Sequence, residues 1–118
     1  MKFFPSPCRV RDLPGHALLA VLPTEIDVCN APALYTAVAS AADARARRLR
    51  MLVLDLTGTE FMDSQGARLV QDIHQHLDDG VRLRVVAEPG GLPGRVLEVT
   101  GVRRDVPVYD DLTEALAA

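Results

Sequence analysis

The apolar segment Met51–Leu56 constrains the fold of this chain more than any other feature of its sequence. Its six residues read MLVLDL, and Asp55 is the only polar residue among them. A strand that is apolar on both of its faces is typical of the centre of a parallel sheet that helices cover on each side. We therefore predict an α/β fold in which this segment is a central strand.

The residues before this segment predict a hairpin and then a helix. Residues 8–12 and the apolar run Ala17–Leu22 are expected to pair around a type II turn at Leu13–His16, in which Gly15 takes the positive φ. Apolar side chains at helical spacing then predict a helix that begins after a cap at Asn30 and extends to Arg50. The arginines on its tail are expected to complement the helix dipole; a nucleic-acid patch is the alternative. They are Arg45, Arg47, Arg48 and Arg50.

The residues after the central strand predict alternating helices and strands. A helix that follows Asp63 and Ser64 is expected to end at Asp78–Gly80, with Gly80 as its left-handed cap. A strand over 81–87 and a short helix over 92–100 follow. We expect Val96, Leu97 and Thr100 to face inward on that helix and Gly101 to end it. A short edge strand over 106–109 precedes a last helix, which Asp111 and Glu114 open with a capping box.

The order of these elements predicts one α/β domain over residues 1–118. Its mixed sheet should have about five strands, with an N-terminal hairpin followed by mostly parallel strands, and about four helices. Residues 1–7 are expected to form a loose N-terminal tail. Low aromatic content and the lack of an obvious exposed apolar stripe favour a monomer or a weak dimer.

Charge and cysteine content narrow the classes of function. The net charge of −3 argues against a dedicated nucleic-acid binder. No stretch approaches the roughly 18 apolar residues of a membrane span. Cys8 and Cys29 fit two free thiols in a reducing compartment, so a cytoplasmic protein is predicted, and we expect Cys29 to be a buried structural thiol.

In open α/β sheets, functional sites lie beyond the carboxyl ends of the strands, and two connections are predicted there, at 24–30 and 58–66. The second places Asp63 and Ser64 at the start of a helix. Either residue can serve there as an ordinary N-cap, and the alternative is a functional hydroxyl on Ser64. A phosphate on Ser64 would meet free N–H groups and positive potential at that point.

Catalytic and metal sites fit the sequence poorly, and no cofactor is predicted. A serine hydrolase needs a histidine near Ser64, but His74 lies about 15 Å further along the same helix. A phospho-accepting Asp63 would need a late lysine, and Lys2 is the only lysine. His74 and His76 point to different sides of a helix and are expected to be solvated.

Three segments resemble motifs of the STAS domains of the anti-sigma factor antagonist family. Residues 55–66, DLTGTEFMDSQG, are similar to the pattern D-L-x-x-v-x-[FY]-[MIL]-D-S-[ST]-G. Thr24–Asp27 is similar to G-E-[LI]-D, and Thr100–Val102 to [ST]-G-[LV]. Together they extend the resemblance from about Cys8 to Leu116, in the order and spacing of the family.

This resemblance implies a binding protein that is not an enzyme. Its partner would be an anti-sigma factor serine kinase of the GHKL type, which the unphosphorylated protein binds so that a sigma factor is released. Ser64 matches the serine that is phosphorylated in the family. Its phosphorylation ends the binding, and a protein phosphatase restores the binding. The residues implied in partner binding are Glu25, Asp27, Phe61, Met62, Asp63, Gln65, Gly66 and Arg68.

The sequence departs from the family pattern at Thr24, Gln65, Ala67 and Arg68. Arg68 lies four residues after Ser64, where it can pair with a phosphate or alter which kinase is recognised. Two other functions stay open: a STAS subunit of a signalling scaffold or lipid-transport complex that has no phosphorylation switch, and a small hydrolase that uses Ser64.

Overall fold

The computed structural model describes residues 8–118, so the predicted tail at residues 1–7 lies outside the described residues. Four α-helices and seven strands follow one another in this range, and a short 3-10 helix, Val102–Arg104, comes after the third α-helix. In chain order the elements are β1 (Arg9–Leu13), β2 (Ala17–Val21), β3 (Glu25–Ile26), α1 (Ala31–Asp43), β4 (Met51–Asp55), β5 (Phe61–Met62), α2 (Ser64–His76), β6 (Arg82–Val86), α3 (Leu92–Val99), β7 (Val108–Tyr109) and α4 (Leu112–Ala117).

The main sheet has five strands in the order β1-β2-β4-β6-β7. Strand β1 is antiparallel to β2, and the other pairs are parallel. This confirms the predicted α/β fold, with an N-terminal hairpin, a mixed five-stranded sheet and four helices. The apolar segment at Met51 is the central strand, because β4 pairs with β2 on one side and with β6 on the other.

The alternation along β4 shows how its two faces are covered. Leu52 and Leu54 pack into a large core with residues of α1, α2 and α3. Met51 and Val53 pack on the opposite face, where Ala115 of α4 joins them. Both faces of the strand are therefore buried, as its sequence predicts.

A buried arginine fixes α4 to its face of the sheet. Arg84 of β6 donates a hydrogen bond of 2.7 Å to the main-chain oxygen of Ala115 and another to that of Ala118. Its guanidinium also lies 5.7 Å from the centre of the Tyr109 ring. These contacts satisfy a charge that would be costly to bury alone.

The hairpin turn has the predicted positive φ at Gly15 and a further positive φ at the next residue. Gly15 has the expected positive φ of 83°, but His16 also lies in the left-handed region, at φ 60°. The register pairs Leu13 with Ala17, so three residues close the turn. The N–H of Arg50, the residue before β4, donates to the carbonyl of His16 at 2.9 Å and stabilises this conformation.

Two predicted helix ends are wrong. Helix α1 ends at Asp43, so the arginine run lies in the turns that follow it. Ala and Arg favour a helix, but Leu49 is buried in the core, and the chain must fold back to bury it. Helix α2 ends at His76, and Leu77 leaves it in an extended conformation with ψ 146°. Gly80 therefore is not a left-handed cap, and its φ is not positive.

The predicted cap at Asp111 is confirmed, but Glu114 bonds the residue before the cap rather than the cap itself, and two side-chain placements are wrong. Asp111 accepts a hydrogen bond from the N–H of Glu114 at 2.8 Å, and Glu114 accepts one from the N–H of Asp110 at 3.3 Å. Cys29 is exposed rather than buried, because it lies in the loop before α1. Thr100 is exposed, with its hydroxyl donating to the carbonyl of Val96, and Val102 is buried in the core instead.

Candidate functional site

A second, two-stranded sheet joins the two connections in which the candidate residues lie. Strands β3 and β5 are parallel, with Glu25 opposite Phe61 and Ile26 opposite Met62. The carbonyl of Thr24 accepts hydrogen bonds from the N–H groups of Glu60 and Phe61, at 2.8 and 3.1 Å. Sequence reasoning missed this sheet, because strands of two residues show no periodicity.

The alternation along these short strands brings most of the predicted site residues to one surface. Ile26 and Met62 point into the core and are 1% and 2% exposed. Glu25 and Phe61 therefore point outward. Asp27 and Asp63 follow at neighbouring positions, since the N–H of Asp63 donates to the carbonyl of Ile26 at 3.3 Å.

Two side chains stabilise the loops next to this sheet by hydrogen bonds. The buried hydroxyl of Thr59 donates to the carbonyl of Pro23 at 2.7 Å and ties the two connections together. Asp55 accepts hydrogen bonds from the N–H and the hydroxyl of Thr57, at 2.9 and 2.6 Å. The Asp55 carboxylate therefore holds the turn after β4 in place.

The loop before α1 orients the Asp27 carboxylate. Asn30 occupies the predicted cap position, but its side chain makes no capping bond to the helix. Its Oδ1 accepts from the N–H of Asp27 at 3.0 Å, and its Nδ2 donates to the carbonyl of Glu25 at 2.7 Å. Asp27 Oδ1 in turn accepts from the N–H of Cys29 at 2.9 Å, which fixes the direction of this carboxylate.

The first turn of α2 distinguishes the two roles that the sequence left open for Asp63 and Ser64. Asp63 is the N-cap, because its extended backbone lets Oδ1 accept from the N–H of Gln65 at 2.9 Å. Ser64 is the first helical residue and is exposed. Its hydroxyl has no hydrogen-bond partner within residues 8–118 and is not used as a cap.

Met62 and Gly66 lie beneath this turn rather than on its surface. Both are buried, and Met62 packs directly against the position of Gly66. A Cβ atom added to Gly66 would overlap the Met62 side chain and lie 2.5 Å from its Sδ. The pair therefore sets the position of the first turn of α2, and with it the position of Ser64.

Two grooves flank α2 beside Ser64. The groove between α2 and the 3-10 helix has a volume of 380 Å³ and is lined by Ser64, Arg68 and Gln71, among others. The groove between α1 and α2 also has a volume of 380 Å³, and Tyr35, Gln65 and Arg68 border it. Arg68 thus stands between the two grooves.

Two exposed apolar side chains lie at the border of the candidate site. Val28 borders the groove between α1 and α2 and is 65% exposed, and Phe61 of β5 is 46% exposed. Sequence reasoning missed Val28 and Tyr35, because the groove between α1 and α2 depends on how the two helices pack. An exposed apolar surface mixed with charged residues is suited to contact with another protein.

His74 and His76 lie at the other end of α2 from Ser64. His76, at the opposite end of α2 from Ser64, is paired with Asp43 of α1 at 2.8 Å, so it is not simply solvated as expected. His74, two residues earlier on the same helix, is exposed. No group of side chains suited to a metal ion occurs within residues 8–118. No helix among these residues is long and apolar enough to span a membrane.

Comparisons with known proteins agree with this architecture. The family described as STAS domain matches residues 10–115. An anti-sigma factor antagonist from Mycobacterium paratuberculosis has a similar structure, with a TM-score of 0.82, 30% identity, and coverage of 93% of this chain and 90% of that chain. No curated protein matches the sequence.

The anti-sigma factor antagonist SpoIIAA is similar in fold. Its unphosphorylated form gives a TM-score of 0.72 at 15% identity and covers 92% of each chain. The phosphorylated form from Bacillus gives a TM-score of 0.65 at 16% identity and covers 93% of this chain and 96% of that chain. These two structures support the fold alone.

Proposed function

This chain belongs to the STAS domain family of anti-sigma factor antagonists, and from that premise we propose that it is a phosphorylation-switched binding protein. With Ser64 unphosphorylated, it binds an anti-sigma factor serine kinase of the GHKL type, and a sigma factor is released. Phosphorylation of Ser64 ends this binding, and a protein phosphatase restores it. The chain itself acts by binding and not by catalysis.

The observation that supports this proposal is the Ser64 hydroxyl, which has no hydrogen-bond partner within residues 8–118. Asp63 already caps α2, so Ser64 has no capping role at the start of the helix. Its side chain is exposed between two grooves, where a kinase can reach it. SpoIIAA, which is similar in fold, is described in an unphosphorylated and a phosphorylated form.

The surroundings of Ser64 support a switch that leaves the fold intact. A phosphate adds about −1.5 to −2 charge near pH 7, next to the carboxylates of Asp27 and Asp63. A partner surface that packs against a neutral hydroxyl would have to desolvate this charge, and binding would weaken. The start of a helix tolerates the same charge, so the domain stays folded.

The partner surface that we propose consists of the exposed and half-buried members of the predicted set. These are Glu25, Asp27, Phe61, Asp63, Ser64, Gln65 and Arg68. Met62 and Gly66 support this surface from beneath, so their substitution would change its shape rather than remove a contact.

The decisive experiment is the intact mass of the protein after incubation with ATP and each GHKL-type kinase of the source organism. We expect one added phosphate on the wild type and none on Ser64→Ala. Ser40→Ala is the matched control, because Ser40 is an exposed serine on α1 and should leave the phosphorylation unchanged.

Binding is then measured by co-elution with the same kinase. Unphosphorylated protein should form a complex, and phosphorylated protein should not. Absence of phosphate with every kinase, together with a stable complex with another protein, would contradict the proposal. That outcome would favour the STAS subunit without a phosphorylation switch.

A further inference from the structure

Arg68 stands beside Ser64 and has no ion-pair or hydrogen-bond partner within residues 8–118. We propose that Arg68 binds the phosphate group of phosphorylated Ser64 within its own chain, in the groove between α2 and the 3-10 helix. This inference rests on the proposed phosphorylation of Ser64. It goes further by naming the residue that holds the phosphate and the groove in which the phosphate lies.

The spacing along α2 brings the two side chains together. Ser64 is the first residue of the helix and Arg68 follows one turn later, so both side chains lie on the same face. Both line the 380 Å³ groove between α2 and the 3-10 helix. Arg68 is exposed, and its guanidinium makes no ion pair or hydrogen bond to any residue in the described range 8–118.

The other residues that line this groove leave Arg68 as the group that attracts a phosphate. Ala67 and Val102 form a buried floor, and Gln71 and Gln75 are neutral amides. Asp72 is the only carboxylate among the residues that line it. Asp72 lies two helical turns from Ser64 and one turn beyond Arg68, so Arg68 stands between the phosphate and this negative charge.

The carboxylates on the opposite side of Ser64 direct the phosphate toward Arg68. Asp63 is held by the N–H of Gln65, and Asp27 by the N–H of Cys29, both at 2.9 Å. Neither carboxylate can turn away without losing its hydrogen bond. A dianionic phosphate is repelled by both and attracted by the guanidinium, whose planar fork suits phosphate oxygens.

Pairing of this kind favours the dianion of the phosphate over its monoanion. The second pKa of a phosphoserine lies near 6, and a neighbouring guanidinium lowers it. The pairing also fixes the phosphate in one groove. A phosphatase that removes it would therefore meet a phosphate already bound to Arg68.

The test uses protein in which phosphoserine is incorporated at position 64 during synthesis, so that no kinase is needed. The second pKa of this phosphoserine is followed by ³¹P NMR in the wild-type background, in Arg68→Ala and in Arg68→Lys. We expect Arg68→Ala to raise this pKa by about 0.3 to 0.7 units, and Arg68→Lys to raise it less. High salt should reduce the difference.

Arg95→Ala is the matched control, because Arg95 is an exposed arginine on α3 that does not line this groove. It should leave the pKa of the phosphoserine unchanged. The other charged groups that face the phosphate are Asp27, Asp63 and Asp72, and they are the same in every variant. Amide spectra recorded at each pH verify that the variants are folded.

Equal pKa values in the wild-type and Arg68→Ala backgrounds would overturn the inference. A rise of the same size in Arg95→Ala would also overturn it, since the effect would then be one of net charge. Both results are independent of the kinase experiment. If no kinase modifies Ser64, the proposed function fails while the titration still reports on Arg68.

Discussion

The two ends of the main sheet differ in how their connections are held. At the carboxyl end of the parallel strands, β3 and β5 pair with each other, and Thr59, Asn30 and Asp63 fix the loops with side-chain hydrogen bonds. At the amino end, residues 44–50 are held by main-chain bonds and by an exposed pair between Arg45 and Asp12. The carboxyl end thus has loops that side chains fix beside a small second sheet, whereas residues 44–50 at the amino end depend mainly on main-chain bonds.

The largest expected difference between the two ends concerns their glycines. Gly66→Ala should lower the free energy of unfolding by about 1–3 kcal/mol, because the added Cβ overlaps the buried Met62 side chain. Gly80→Ala, at the amino end, meets no atom within 4 Å and has no positive φ. It should leave stability unchanged or raise it by up to about 1 kcal/mol. Urea unfolding followed by circular dichroism measures both.

A double substitution sharpens this prediction. Met62→Ala alone removes buried volume and is costly, but it makes room for the methyl group at position 66. The cost of Gly66→Ala should therefore be smaller in the Met62→Ala background than in the wild type. An unchanged cost would show that something other than Met62 requires glycine there.

A smaller difference in the free energy of unfolding is expected when aspartates at the two ends are substituted. Asp63→Ala removes the N-cap of α2 and should lower the free energy of unfolding by about 1 kcal/mol. Asp79→Ala removes an exposed aspartate at the amino end and should change it by less than about 0.5 kcal/mol. Thermal unfolding of the two variants in the same buffer compares them. Equal losses would contradict the idea that the carboxyl end alone depends on side-chain caps.

The smallest effect is expected for the Arg45–Asp12 pair. The Arg45 guanidinium, 2.6 Å away, holds the pKa of the Asp12 carboxyl below its usual range. A lowered folded-state pKa means that the pair contributes stability above the unfolded pKa of about 3.9 and loses it as pH falls through the folded value. Because both groups are exposed to screening, the contribution is small.

Asp12→Asn measures this contribution and keeps the bond from Arg45 to the carbonyl of Ala41. Its melting temperature should lie slightly below that of the wild type at pH 7 and should converge with it in acid. A difference that persists at pH 2, or that exceeds the effect of Asp63→Ala, would contradict the comparison between the two ends.

Local sequence patterns correctly predicted the elements that are specified by residues close together in the chain. The apolar run at Met51 specifies a central strand, and Asp63 is followed by a helix that it caps, because these signals lie within a few residues. The end of α1 was wrong, since helix propensity favours the arginine run as a helix whereas burial of Leu49 requires a turn. The predicted left-handed cap at Gly80 was wrong because Leu77 leaves α2 in an extended conformation, which the position of a glycine in the sequence does not reveal.

The candidate site could be predicted in part for the same reason. The family motif located Ser64, Asp63 and Asp27, and the structure brings them to one surface. The pairing of β3 with β5, which joins residues 36 positions apart, has no local signal. Nor does the groove between α1 and α2 that Val28 and Tyr35 border, because it depends on how the two helices pack.

The methionine beneath Ser64 gives this surface a sensitivity to oxidation. Oxidation of Met62 to its sulfoxide adds an oxygen to the Sδ atom, and this atom already fills the space in which a methyl group on Gly66 would lie. The first turn of α2, and Ser64 with it, would then be displaced although Ser64 itself is not chemically modified. Because Met62 is only 2% exposed, the folded protein shields this sulfur, and the damage should appear only in molecules that open or unfold.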